Sequence, residues 1–194
     1  MGAIPVRELR RVALVPLEDH HVAGLHRIAS NRNVSQHWET RGEPVTIEQF
    51  TSLIFEHFGY QVTVTSGGEP IGLCCLADPS SVDSHATVSL YVDAPFWGRG
   101  HAIEALVGYV DLVFAVTRLE KLYFPMHEAV VDRTPGLRRY LDIEGRLKGH
   151  VRIGASCGDL VIASITRAQF GAHARSSTLV RRVLRAPAGA GSPE

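Results

Sequence analysis

Cysteine, methionine and tryptophan are all scarce in this chain of 194 residues, with three, two and two copies. Cys74, Cys75 and Cys157 lack the paired spacing of a zinc site and are too few for a disulfide framework. They read as buried thiols of a reducing cytoplasm. No secretory signal is present, nor any apolar run of about 18 residues that would span a bilayer. Charge of one sign is not in excess either, since 20 Lys and Arg balance 20 Asp and Glu. That balance argues against a general binder of nucleic acid or of anionic membranes and leaves room for local basic patches. The ten histidines form no His-x-x-x-His or Glu-flanked pair, so no metal is expected. What is there, 45% hydrophobic and 21% charged residues, suits one ordinary core.

Punctuation and periodicity divide the chain. Arg11 to Leu17 alternates as a first strand, and the acidic Glu18-Asp19 precedes a helix carried by Val22, Leu25, Ile28 and Ala29. Asn31 to Pro44 reads as a polar loop around Trp38. Thr46 and Gln49 form a capping box for a helix through Phe58. Tyr60 to Thr65 and Pro70 to Leu76, joined through Gly67-Gly68, predict a hairpin, and Ser84 to Val92 a third antiparallel strand. Beyond it lie a helix to Thr117, a strand at Leu119 to Phe124, and short helical pieces at Glu128 to Arg133 and Leu137 to Tyr140, interrupted by Pro135-Gly136. A closing hairpin is expected from Gly145 to Ile153 and Asp159 to Ile165, turning at Ala155 to Gly158. Ser177 to Arg185 reads as a basic helix, and Ala186 to Glu194 as a disordered tail.

The most informative stretch is Trp97-Gly98-Arg99-Gly100-His101-Ala102, which follows the strand Thr87 to Val92 and its stop at Asp93-Ala94-Pro95. Glycines on both sides of Arg99 let a loop that opens a helix lay its N–H groups against an anion, where the helix N-terminus favours phosphate. A dinucleotide fingerprint would need a third glycine, and a P-loop Gly-Lys-Ser/Thr; neither is present. With Glu104-Ala105 following, the segment resembles the coenzyme-A-binding motif of the GCN5-related N-acetyltransferase (GNAT) superfamily. The form Trp-Gly-x-Gly-x-Ala looks most like the branch of ribosomal-protein N-terminal acetyltransferases.

The resemblance covers about residues 10 to 170 and implies a mixed α/β (α+β) fold. Its twisted, mostly antiparallel sheet has six to seven strands flanked by helices, with a parallel crossover through the helix after the glycine loop. Residues 1–9 would be an N-terminal extension, and 171–194 a basic tail rich in Ala, Pro and Gly. Relatives carry Asn-x-x-Ser after the fifth strand, but alignment on Glu144-Gly145 puts Ala129 and Asp132 there. The Pro135-Gly136 break is expected to open the acceptor side and to admit acyl groups longer than acetyl.

The same resemblance implies which residues serve acetyl-CoA, or another acyl-CoA, as co-substrate. Cofactor binding falls to the main chain of Leu90, Tyr91 and Val92 and to Trp97, Gly98, Arg99, Gly100, His101 and Ala102. Thr87 stands where relatives of this branch place a catalytic glutamate, so His85, on the same strand face, is the first candidate base and Glu39 the second. His37 and Trp38 fall in the loop that lines the acceptor site in relatives, although Trp38 equally suits a core. Tyr140 is the candidate acid for the departing thiolate; Tyr123 reads as packing, and His127 sits within reach of the cofactor. The reading is a cytoplasmic N-acyltransferase acting on a small-molecule or peptide primary amine by direct attack. It has no nucleic-acid or membrane partner and is compatible with a homodimer. The alternative is an acyl-CoA-binding module of the same fold, or an enzyme of altered chemistry.

Overall fold

A computed structural model describes residues 4–153 and 156–185 of the chain. It holds one eight-stranded sheet in the order β1-β2-β3-β4-β5-β6-β8-β7. The strands are β1 (Arg7–Glu8), β2 (Ala13–Pro16), β3 (Gly59–Ser66), β4 (Glu69–Ser80), β5 (His85–Val92), β6 (Lys121–His127), β7 (Asp142–Ile153) and β8 (Ser156–Thr166). Six of the seven neighbouring pairs are antiparallel, and β5 with β6 is the parallel one. The sheet has one strand more than expected, because residues assigned to an N-terminal extension supply β1, which pairs with β2.

Helices cover both faces. On one lie α1 (Val22–Ala29), α2 (Arg32–Ser35) and α3 (Ile47–Ser52), the last continuing as a π-helical turn over Leu53–His57. Their apolar positions Leu25, Ile28, Phe50 and Ile54 bury with Trp38, Leu73 and Tyr91. The capping box at α3 is formed as expected: Thr46 accepts from the Gln49 N–H while the Gln49 side chain accepts from the Thr46 N–H. On the other face α4 (His101–Val116) is apolar around most of its circumference, because it packs between the sheet and the C-terminal helices. Tyr109, wholly buried, donates to the Tyr60 carbonyl at 3.0 Å.

In the C-terminal part α5 (Glu128–Arg133) ends as expected before Pro135, and a 3-10 turn follows at Pro135–Arg139. The closing hairpin departs from expectation. Ser156, Cys157 and Gly158 are not turn residues but pair with Ile153, Arg152 and Val151, so β8 begins earlier and Cys157 is exposed rather than buried. Residues 167–184 form α6 (Arg167–Ser176), capped by Thr166, and α7 (Thr178–Leu184), capped by Ser177. Phe170, Val180 and Val183 bury against the α4 layer. The part of the expected disordered tail from Ala186 onward lies outside the described residues. Among the described residues, no helix is long and apolar enough to cross a membrane.

Candidate active site

The loop between β5 and α4 has the backbone its glycines permit: φ is +70° at Gly98 and +86° at Gly100, the left-handed region that side-chain-bearing residues avoid. A Cβ at Gly98 would meet nothing within 4 Å, so that face of the loop is open. Gly100 caps α4 without a side chain, and the first intrahelical bond is from the Glu104 N–H to the Gly100 carbonyl at 3.1 Å. The N–H groups of His101, Ala102 and Ile103 therefore have no intrahelical acceptor and are available to an anion. Trp97 anchors the loop by donating its indole N–H to the Val92 carbonyl at 2.7 Å. His101 sets its ring edge-on to Phe96, and its buried Nδ1 has no partner among the described residues.

Beside the loop, Glu104 is 2% exposed and accepts from both the main-chain N–H and the guanidinium of Arg11, at 2.5 and 3.0 Å. This pair, buried on the Glu104 side and exposed on the Arg11 side, ties the start of the sheet to the first turn of α4. A cavity of about 270 Å³ opens here, lined by Arg10, Arg11, Arg99, Arg182 and the two loop glycines. Glu104, committed to Arg11, is its only carboxylate among the described residues, so that lining is strongly cationic.

The parallel strands part next to this loop. β5 and β6 pair only from His85–Thr87 to Lys121–Tyr123, although β5 runs on to Val92 and β6 to His127. On the other side of β5 the Asp93 N–H donates to Ile71 O at 2.7 Å, and bonds across an antiparallel pair alternate. Tyr91 thus turns its main chain toward β4, whereas Leu90 and Val92 turn theirs into the gap. On the face away from α4, the segment 37–39 crosses the mouth of this gap. Glu39 Oε1 accepts from Ser89 Oγ at 2.8 Å, and the His37 ring lies 6.1 Å from that of His127 at the end of β6. Gly158 makes room for His127: a Cβ there would stand 2.1 Å from its Nε2.

The acetyltransferase (GNAT) domain family matches residues 11–129, more than half of the chain. The chain belongs to the GNAT family. It is accordingly an acyltransferase, and its eight-stranded sheet is the GNAT fold. A search of curated proteins by sequence found no match. Among solved structures, spermidine N-acetyltransferase from Vibrio cholerae, in complex with CoA and spermine, superposes with a TM-score of 0.73 at 17% identity, over 82% of this chain and 98% of that one. RimJ from Mycobacterium smegmatis, in complex with CoA-disulfide, gives 0.70 at 18% identity over 91% of each chain. An acetyltransferase of the GNAT family from Bacillus anthracis gives 0.67 at 13% identity, over 84% and 98%. The family match ends in α5, just before the helix breaks.

Within this GNAT domain the expected site residues fall into separate places. His37, Glu39 and His127 come together at the gap, while Thr87 is the last paired residue at its root. His85 lies four residues before Ser89, about 13 Å along the strand, edge-on to Tyr123 and 4.0 Å from Asp83. Lys121 in turn lies over the Tyr123 ring. Trp38 is 4% exposed and packs edge-on against Tyr91, so its ring faces the core rather than an acceptor. Tyr140 is drawn to the α4 side, with its hydroxyl 3.2 Å from Ser177 Oγ and its ring against His173. Sequence reasoning missed Ser89, Arg10, Arg11 and Arg182. Their residue types carry no signal of their own, and only the tertiary contacts distinguish them.

Proposed function

We propose that this GNAT protein transfers an acetyl or longer acyl group from acyl-CoA to a primary amine by direct attack on the thioester. One observation carries the reading: the left-handed glycine loop, with its orphan N–H groups, lies at the open end of the gap between β5 and β6. A pyrophosphate on the loop leads a pantetheine into that gap, where the main chain of Leu90 and Val92 offers hydrogen bonds. The arginine-lined cavity favours a donor bearing the phosphates of CoA over a carrier-bound phosphopantetheine, which lacks the adenosine end. The acceptor enters from the opposite face, past Glu39, His37 and His127, where a carboxylate suits a cationic amine. The spermine complex of the Vibrio neighbour supports a small amine of this kind.

The test is calorimetric titration with acetyl-CoA, followed by thiol release across a panel of polyamines, amino acids and N-terminal peptides. Binding in the micromolar range, with thiol release that requires an amine, is expected. Absence of binding, or thiol release indifferent to amine, refutes the proposal. A series of donors from acetyl to octanoyl then reads the acyl preference.

A further inference from the structure

The segment that crosses the gap is held there by a chain of hydrogen bonds which the acyl-transfer reading leaves unused. Trp38 Nε1 donates to Ser89 Oγ at 3.0 Å, and Ser89 Oγ donates to Glu39 Oε1 at 2.8 Å. Ser89 is 7% exposed and Trp38 4%, the indole being locked edge-on to Tyr91 with ring centroids 4.7 Å apart. The serine hydroxyl has a single proton. Because the indole N–H can only donate, that proton is directed at the carboxylate. Glu39 itself is exposed, and its Oε2 has no partner among the described residues. Ser89 stands two residues beyond Thr87, where β5 and β6 stop pairing, so Glu39 is pinned at the root of the gap.

We propose that Glu39 is the proton acceptor of the reaction and that Ser89, backed by Trp38, is the residue that positions it. This rests on the acyl-transfer reading above. Glu39 Oε2 takes one proton from the acceptor's ammonium group, directly or through one water. The freed lone pair forms the C–N bond to the thioester carbonyl carbon. Collapse of the tetrahedral intermediate breaks the C–S bond, and the thiolate takes the second proton shed by nitrogen. Glu39 returns its proton to solvent, so the turnover yields amide, thiol and one proton. His85 has no part in this step, since the closed end of the strand pair separates it from the gap.

A pH profile of kcat/KM for the full chain, with acetyl-CoA affinity measured alongside, tests the assignment. Glu39→Gln is expected to lower kcat/KM by about 10² or more with acetyl-CoA affinity unchanged. Ser89→Ala, which leaves the carboxylate without its donor, is expected to lower kcat by about tenfold with KM for the amine and acetyl-CoA affinity unchanged. Ser89→Thr keeps the hydroxyl and is expected to retain the native profile, which a merely structural serine would not require. A turning-over wild type matched in kcat by Glu39→Gln or by Ser89→Ala overturns this proposal alone. A wild type that releases no thiol with any amine overturns the acyl-transfer reading and this one together.

Discussion

Replacing Gly98 by aspartate places a negative charge in the loop assigned to the pyrophosphate, and the matching Gly98→Asn change supplies the same shape without the charge. Both side chains fit, because a Cβ at Gly98 meets nothing within 4 Å. Both must adopt a φ near +70°, which Asn and Asp accept more readily than other residues, at about 1 kcal/mol. The charge itself is far more costly. At about 5 Å from each phosphate it contributes about 1 kcal/mol of repulsion per phosphate charge if screened as in water, and about 3 kcal/mol at the effective dielectric of a protein surface. Over two phosphate charges this is about 2–6 kcal/mol, a loss of at least about 30-fold in CoA affinity. The assay is calorimetric Kd for CoA at low and high salt, with thermal melting as the folding control. The asparagine variant is expected within about fivefold of wild type, and the gap between the two variants is expected to shrink as salt screens the charge. A folded Gly98→Asp protein with native CoA affinity refutes the placement of the pyrophosphate on this loop.

Arg167 closes the C-terminus of α4, donating to the carbonyls of Phe114, Thr117 and Leu119 while stacking on the Phe114 ring. Arg167→Ala is expected to cost about 3 kcal/mol and to lower Tm by about 6–12 °C, whereas a shift under about 2 °C would mean water replaces those bonds without loss. Burial holds the thiols of Cys74 and Cys75 well above their ordinary pKa, while Cys157 is exposed. A thiol reagent should count one reactive cysteine in the native protein and three after denaturation, and two or more native thiols would contradict the packing of β4. His21 is buried, and its Nδ1 accepts from the Glu18 N–H at 3.2 Å and lies 3.1 Å from Thr63 Oγ1, so burial first, and the neighbouring His20 second, lower its pKa. The unfolded chain then binds more protons below about pH 6.5, so stability falls as pH drops through that value. Urea midpoints of wild type and His21→Gln should converge between pH 7.5 and 5.5, and parallel curves would clear His21 of the effect.

Local chemistry was legible wherever a few neighbouring residues decide the backbone. The Thr46–Gln49 capping box, the Gly67-Gly68 turn and the glycine loop stand where the sequence places them, because each depends on contacts within a few positions. The break at Pro135 was likewise readable, since proline removes a donor and blocks the preceding turn. Strand β1 and helix α6 were not. Two residues make no periodic pattern, and α6 buries only Phe170, too little to stand out from a polar, alanine-rich stretch, whereas α7 falls within the basic helix read at Ser177 to Arg185.

The sequence by itself determined the family, the order of most elements and the glycine loop proposed for the donor's phosphates, because spacing along the chain encodes them. Only the tertiary structure decided which side chains share the site. Ser89 and Glu39 are 50 positions apart, and Arg11 and Glu104 are 93 apart. Nothing in either residue's neighbours along the chain announces the contact. It arises because the pairing of β5 with β6 ends at Thr87, which opens a gap, and because Trp38, seated in the aromatic core, carries Glu39 across it. The same register leaves His85 at the closed end. Alternation along a strand states which face a residue shares, but where neighbouring strands part is set by the packing of the whole sheet.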